Sequence, residues 1–252
     1  MASISDSLAN KPTLAVSSGL LIGLFFLNFL VTDPDSIFAL VPINTLINKR
    51  YVWNLLTSCF YETNIGKLVF DLVALLWLVS QMAIANLEQY LCFAGFSILA
   101  SSFGYEAYCF IRFFTSGNQD FLLTPVFGFH GILIALSMYL RQQWKGQAVH
   151  PSTPFITFHH LPVILLAVQV LAAILRLSSV TRDLPFSIIA FFFSWSYLRF
   201  YYRYVEGEPF GDKSEDFTFV QMFPEVSFFF EIILCIVSFT GLYYVFRYFT
   251  LF

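Results

Sequence analysis

Phe127-Gly128-Phe129-His130-Gly131, residues 127–131, sets one histidine between small residues at the head of an apolar run that continues to Leu140. Ionisable side chains inside apolar segments are rare and costly, so each marks a candidate functional site. Outward from this stretch the chain alternates apolar segments with short polar turns. The segments are Leu14–Val31, Gly66–Ala85, Tyr90–Phe113, Phe121–Leu140, Leu161–Leu177 and Pro185–Tyr204. Each is close to the roughly 20 residues that a helix needs to cross a bilayer. The pattern predicts an all-α polytopic membrane protein.

Composition agrees. Hydrophobic residues make up 58% of the 252 and charged ones 12%, about half the charged share of a globular chain. Aromatic residues reach 20%, with 33 Phe and 13 Tyr, as suits lipid-facing helices and interfacial belts. A net charge of −3 offers no basic field for nucleic acid. Cys59, Cys92, Cys109 and Cys235 form no Cys-x-x-Cys pair, so neither a zinc site nor a disulfide framework is indicated. Leu14–Val31 is followed by Thr32-Asp33-Pro34-Asp35 rather than a small-residue cleavage site, so it is expected to stay as an anchor.

The domain plan follows. Residues 1–13 form a short polar N-terminus, 14–204 a membrane core with a long loop at 32–65, 205–225 a juxtamembrane cap, and 226–252 an apolar C-terminal helix. Trp53–Phe60 is too short to span and reads as an interfacial or re-entrant piece anchored by Tyr51 and Trp53. The segment 226–252 reads as a seventh span or an interfacial helix; Ser238 and Thr240 make no charged face, which favours the span. Lysine and arginine divide evenly between alternating loops, so charge does not set the orientation.

Three groups of residues stand out. Lys67 and Asp71 lie four apart and share a helix face. A Lys67–Asp71 or a Lys67–Glu106 ion pair fits the segment ends; the plainer reading is a structural pair near the interface, with Lys67 reaching toward water. Gly128, Gly131 and Ala135 form a close-packing face beside His130. His130 itself is a base, a relay or a core histidine bonded across helices, but one ligand does not make a metal site. Ser137 and Ser194 read as packing hydroxyls, because no histidine follows His160 to serve as a base for helix six. Finally, Gly211-Asp212 gives a turn, Ser214 or Asp216 caps a short helix, and Phe217, Phe219 and Phe223 form an apolar edge that Pro224 ends before Glu225. The stretch Gly211–Glu225 reads either as a cap that closes the bundle or as a docking surface for a trafficking factor.

Set together, these stretches resemble the rhomboid fold. Rhomboid proteases carry Trp-Arg in the first loop; here Trp53 is followed by Asn54. Their second helix carries His-x-x-x-Asn, where this chain has Lys67 and Asp71. Their fourth helix carries Gly-x-Ser-Gly, matched by Gly128-Phe129-His130-Gly131, and their sixth a histidine that is missing here. The resemblance implies a rhomboid-like six-helix bundle with every carried-over catalytic position replaced.

Ser194-Trp195-Ser196-Tyr197-Leu198-Arg199-Phe200-Tyr201, then Gly211-Asp212-Lys213-Ser214-Glu215-Asp216-Phe217 and Phe223-Pro224-Glu225, is similar to the transmembrane protein 115 family. That resemblance implies a Golgi-resident pseudoprotease with a cytosolic N-terminus and a lumenal first loop. It binds transmembrane proteins or Golgi tethering and trafficking factors, supports Golgi–ER vesicle transport, and requires no cofactor. Association with further copies of itself is also allowed for. The alternatives are a Derlin-like role in membrane-protein quality control at the endoplasmic reticulum and an unrecognised protease using Ser137 or Ser194 with His130.

Overall fold

A computed structural model describes residues 12–82, 87–144, 146–150, 153–175, 178–203 and 210–222. The expected helix at 226–252, with Phe223, Pro224 and Glu225, lies outside them. The chain divides into two compact units, Met1–Lys213 and Ser214–Phe252.

The longer helices of the first unit are α1 (Pro12–Leu27), α4 (Ile65–Gln81), α5 (Leu87–Ser116), α7 (His130–Gln143), α8 (Leu161–Ile174) and α9 (Ser178–Phe200). Each overlaps one expected apolar segment. Two single-turn helices, α2 (Pro34–Phe38) and α3 (Asn54–Thr57), lie in the first loop with a π-helical stretch at Ile43–Asn48 between them. A further turn, α6 (Asp120–Leu123), precedes α7. The loop before α8 departs from an all-helical reading: β1 (Ala148–His150) and β2 (Thr153–Thr157) pair as an antiparallel hairpin.

The boundaries differ where apolar loop residues were read as helix. The expected helix at 121–140 breaks into α6 and α7. Between them Leu40 and Val126 exchange backbone hydrogen bonds of 2.9 and 3.0 Å, and the Gly128 N–H donates to the Ser58 carbonyl at 2.9 Å. Those bonds commit the backbone before His130 to the first loop, so the helix can begin only at His130. At α9 the expected start was Pro185, since proline suits the first turn of a helix. The helix instead begins at Ser178 and carries Pro185 inside it, a tolerance known in membrane helices, where neighbours satisfy the freed carbonyl. Among the described residues no helix is both long and apolar enough to cross a membrane. At 1.5 Å per residue, the 16 residues of α1 reach only about 24 Å.

Helix α7 lies at the centre. It packs on α4, α5, α8 and α9, and every residue from Gly131 to Arg141 is buried. Its apolar surroundings explain why eleven consecutive positions are buried where a surface helix would bury one stripe. Small residues set the crossings. A Cβ on Gly131 would stand 2.5 Å from the Phe186 ring, and one on Gly104 would stand 2.7 Å from Ile189, both on α9. Polar ties join elements that apolar packing alone would leave free to slide. Ser17 and Tyr90 bond across α1 and α5 at 2.7 Å, and Ser102 on α5 donates to the Leu55 carbonyl in α3 at 2.8 Å. The first loop is similarly knitted: the single Tyr61 hydroxyl proton is shared between Asp35 at 2.6 Å and Asn28 at 2.8 Å, and the Trp53 indole donates to the Ile37 carbonyl at 2.9 Å.

The described part of the second unit consists of two 3-10 turns, Glu215–Phe217 and Val220–Met222. Ser214 stands at the N-cap of the first without a side-chain capping bond, so the expected cap is made by position only.

Candidate functional site

Asn64 begins the site. Its backbone is extended and its side chain accepts hydrogen bonds from the Gly66 and Lys67 N–H groups at 2.7 and 3.4 Å, the usual duty of an N-cap asparagine. With α4 started there, Lys67 and Asp71 fall one turn apart on the same face. That face meets the first residue of α7, and a cavity of about 320 Å³ opens between them. Its walls are Glu62, Gly66, Lys67, Phe70, Asp71, His130, Gln169 and Asp183. The three positions singled out as degenerate, Lys67, Asp71 and His130, are therefore brought into one cavity by α4 and α7.

Glu62, Gln169 and Asp183 were not expected there. Glu62 lies in the first loop just before α4 and Asp183 in the early turns of α9, each far from His130 along the chain. Gln169 had a signal that could have been used: it is the lone polar residue of α8, Leu-Pro-Val-Ile-Leu-Leu-Ala-Val-Gln-Val-Leu-Ala-Ala-Ile, and polar groups in apolar helices mark sites.

The wall atoms are incompletely satisfied. Glu62 is 3% exposed, and burial pushes its carboxyl up from the ordinary glutamate range, against the opposing pull of the Lys67 charge and of the Phe129 N–H that it accepts. Its Oε2 has no hydrogen-bond partner, nor have His130 Nε2 and Gln169 Oε1. The His130 ring meets Phe186 edge-on at 5.6 Å. Gly128 sits immediately behind at φ +127°, and a Cβ there would stand 2.8 Å from both Glu62 Oε1 and His130 Nδ1. The glycine thus allows the glutamate and the imidazole to share one corner.

Other expected residues fall elsewhere. Glu106 is buried on α5 and does not line the cavity. Among the described residues no ion pair joins Lys67 to Glu106 or to Asp71; the lysine is exposed at the cavity's edge. Ala135 packs in the core near Ala94, Ser97 and Phe186. Trp53 is partly exposed and stacks on Tyr51 with ring centroids 4.6 Å apart.

Among the described residues lining the cavity there is no serine, threonine or cysteine. Ser137 donates to the Ile134 carbonyl at 2.7 Å and Ser194 to the Ala190 carbonyl at 2.6 Å, each bound to its own helix. His159 contacts Arg141 at 3.3 Å and His160 contacts Thr157 at 3.0 Å, so neither reaches His130's cavity.

Gly211 and Asp212 terminate α9. The Gly211 N–H donates to the Tyr202 carbonyl at 2.8 Å and the Asp212 N–H to the Leu198 carbonyl at 3.1 Å. Arg199 returns a bond to the Asp212 carbonyl at 2.6 Å, and Gln142 on α7 donates to the Asp212 carboxylate at 3.1 Å. Both residues thus work as a clasp on the helix ends. In the second unit Phe217 is buried and Phe219 is exposed.

The family described as eukaryotic integral membrane protein (DUF1751) matches residues 14–248. Rhomboid-like protein 19 of Arabidopsis thaliana is 27% identical over 201 residues, which is 75% of this chain and 60% of that protein. The chain therefore spans less than two thirds of that relative's length. No solved structure matches. With the match extending from α1 past the end of the described residues, the chain belongs to this family of eukaryotic integral membrane proteins, rhomboid-like and of the transmembrane protein 115 type.

Proposed function

We propose that this protein is a catalytically inactive rhomboid-like protein of the Golgi membrane, which holds transmembrane helices or trafficking factors and supports Golgi–ER vesicle transport. The observation that carries the reading is the cavity wall. His130 stands where the Gly-x-Ser-Gly resemblance sets a nucleophile, and the described lining has no hydroxyl or thiol. Serine catalysis needs a nucleophile within hydrogen-bond reach of a base. A histidine facing carboxylates and a glutamine lacks the nucleophile of that pair.

The partner-docking role is assigned, on their sequence, to Gly211, Asp212, Ser214, Phe217, Phe223, Pro224 and Glu225. The Gly211-Asp212 clasp then serves to hold the end of α9, from which that segment departs.

The test has two arms. A fluorophosphonate probe on the purified chain is expected to leave wild type and His130→Ser equally unlabelled, because no histidine follows residue 160 to serve as a base for a new serine. Labelling that is abolished by His130→Ala would establish an enzyme instead. Proximity labelling in cells is expected to recover Golgi membrane and tethering proteins, and recovery of mitochondrial or cytosolic neighbours alone would overturn the trafficking role.

A further inference from the structure

The cavity carries more unmet hydrogen-bonding capacity than a packing gap would. Glu62 is 3% exposed with Oε2 unpartnered, and His130 Nε2 and Gln169 Oε1 are buried and unpartnered on the same wall. Buried polar groups in native proteins find partners as a rule, so three such atoms around one space call for an occupant.

Charge narrows what that occupant is. Three carboxylates, Glu62, Asp71 and Asp183, line the space with one ammonium, Lys67. The lysine is exposed and forms no ion pair with Glu62 or Asp71, so it leaves these two buried carboxylates without a contacting cation. A buried carboxylate without such a partner is unfavourable. Geometry argues against a metal ion: among the described residues no three His, Cys, Asp or Glu side chains converge as ligands.

The atoms specify the rest. An amide oxygen only accepts hydrogen bonds, and so does a carboxylate once a bound cation favours its ionised form, so Gln169 Oε1 and Glu62 Oε2 are suited to a cationic N–H donor. Phe70, 65% exposed, lines the same space, and an aromatic ring beside a cation adds attraction. A volume of about 320 Å³ fits the lower end of small-molecule sites, which run from about 300 to 1,000 Å³.

We propose that the cavity binds a primary ammonium group, its N–H donors taken by Glu62 and Gln169 and its charge balanced by Glu62 and Asp71. The proposal rests on reading this pocket as non-catalytic. Two sources share the chemistry: a free small amine and the ethanolamine headgroup of a phospholipid.

Thermal unfolding of the purified full chain in detergent, with millimolar ethanolamine, propylamine or choline, tests the first source. Primary amines are expected to raise the midpoint and choline, which lacks N–H donors, is not. Nanodiscs of phosphatidylcholine with and without phosphatidylethanolamine, read by native mass spectrometry, test the second. Glu62→Gln should weaken whichever binding is seen by about tenfold, the scale of losing a charged hydrogen-bond acceptor. Gln169→Met should weaken it less, and it decides the matter if the Glu62 variant fails to fold. Choline binding as well as the amines, or neither amine nor phosphatidylethanolamine binding, overturns the proposal. So does wild-type affinity in the folded variants. Amine binding is read independently of fluorophosphonate labelling, so either result can fail without the other.

Discussion

Gly128 and Gly131 lie three residues apart, yet the structure uses them for different physical ends. At Gly131 the constraint is space: Phe186, itself buried, lies where a methyl group would go. Overfilling a packed core costs about 1–3 kcal/mol, so Gly131→Ala should lower the thermal midpoint of the purified chain, and Phe186→Leu in the same chain should recover part of the loss. At Gly128 the constraint is the backbone. At φ +127° a side chain is strained whatever room it has, and the atoms in the way are the ends of Glu62 and His130. Gly128→Ala should cost about 1–3 kcal/mol from strain, and Phe186→Leu should not relieve it. The double variants separate the two causes. His130 is legible from sequence as a lone ionisable group in an apolar run. Its partners are not, since Glu62 and Asp183 sit 68 and 53 residues away along the chain.

Among the elements, α7 and α9 bear the greatest dependence on others. Helix α7 begins at His130 only because the first loop takes the backbone of Val126 and Gly128, and α9 ends where the Gly211 and Asp212 N–H groups donate to the Tyr202 and Leu198 carbonyls. Gly211 carries this argument to a testable point. Its φ is +78°, and a Cβ would stand 2.1 Å from the Arg199 carbonyl oxygen. That obstacle is backbone, which cannot rotate away, so Gly211→Ala should open the clasp. The expected readout is faster hydrogen exchange in the last turn of α9, with the exchange of α7's middle unchanged. Ser102 makes a smaller case. Its bond to the Leu55 carbonyl joins α3 to α5, and Ser102→Ala should cost about 1–3 kcal/mol by leaving a buried carbonyl unmet. Equal hydrogen exchange in α3 of the variant and wild type would refute that role.

For the molecule as a whole, the buried Glu62 sets a pH dependence. Burial raises its folded pKa above the ordinary value of 4.5. The native state therefore holds a proton that the unfolded chain releases, and stability falls as pH rises from about 4.5 toward the folded pKa. Below 4.5 both states are protonated and the contribution vanishes. Wild type should lose stability across that window with a slope of at most about 1.4 kcal/mol per pH unit from this group. Glu62→Gln should flatten the profile over the same window; a variant profile that parallels wild type throughout would remove Glu62 as the cause.

The division between chain and fold is clear in these particulars. Composition and the succession of apolar segments determined by themselves that this is a helical membrane protein, because apolar surface on that scale has no aqueous solution. Local chemistry also determined the Asn64 cap, since it depends on the N–H groups two and three residues on. Only the tertiary structure decided where α7 begins, because its start is set by hydrogen bonds from a loop some 70–85 residues earlier. Only it put Glu62, Gln169 and Asp183 around His130, and left Glu106 and the other histidines out. Periodicity reports which face a residue shares, but it carries no information about which distant face closes against it. The histidine at the head of that apolar run is thus the sequence's own mark, and the acidic cavity around it is the work of the fold.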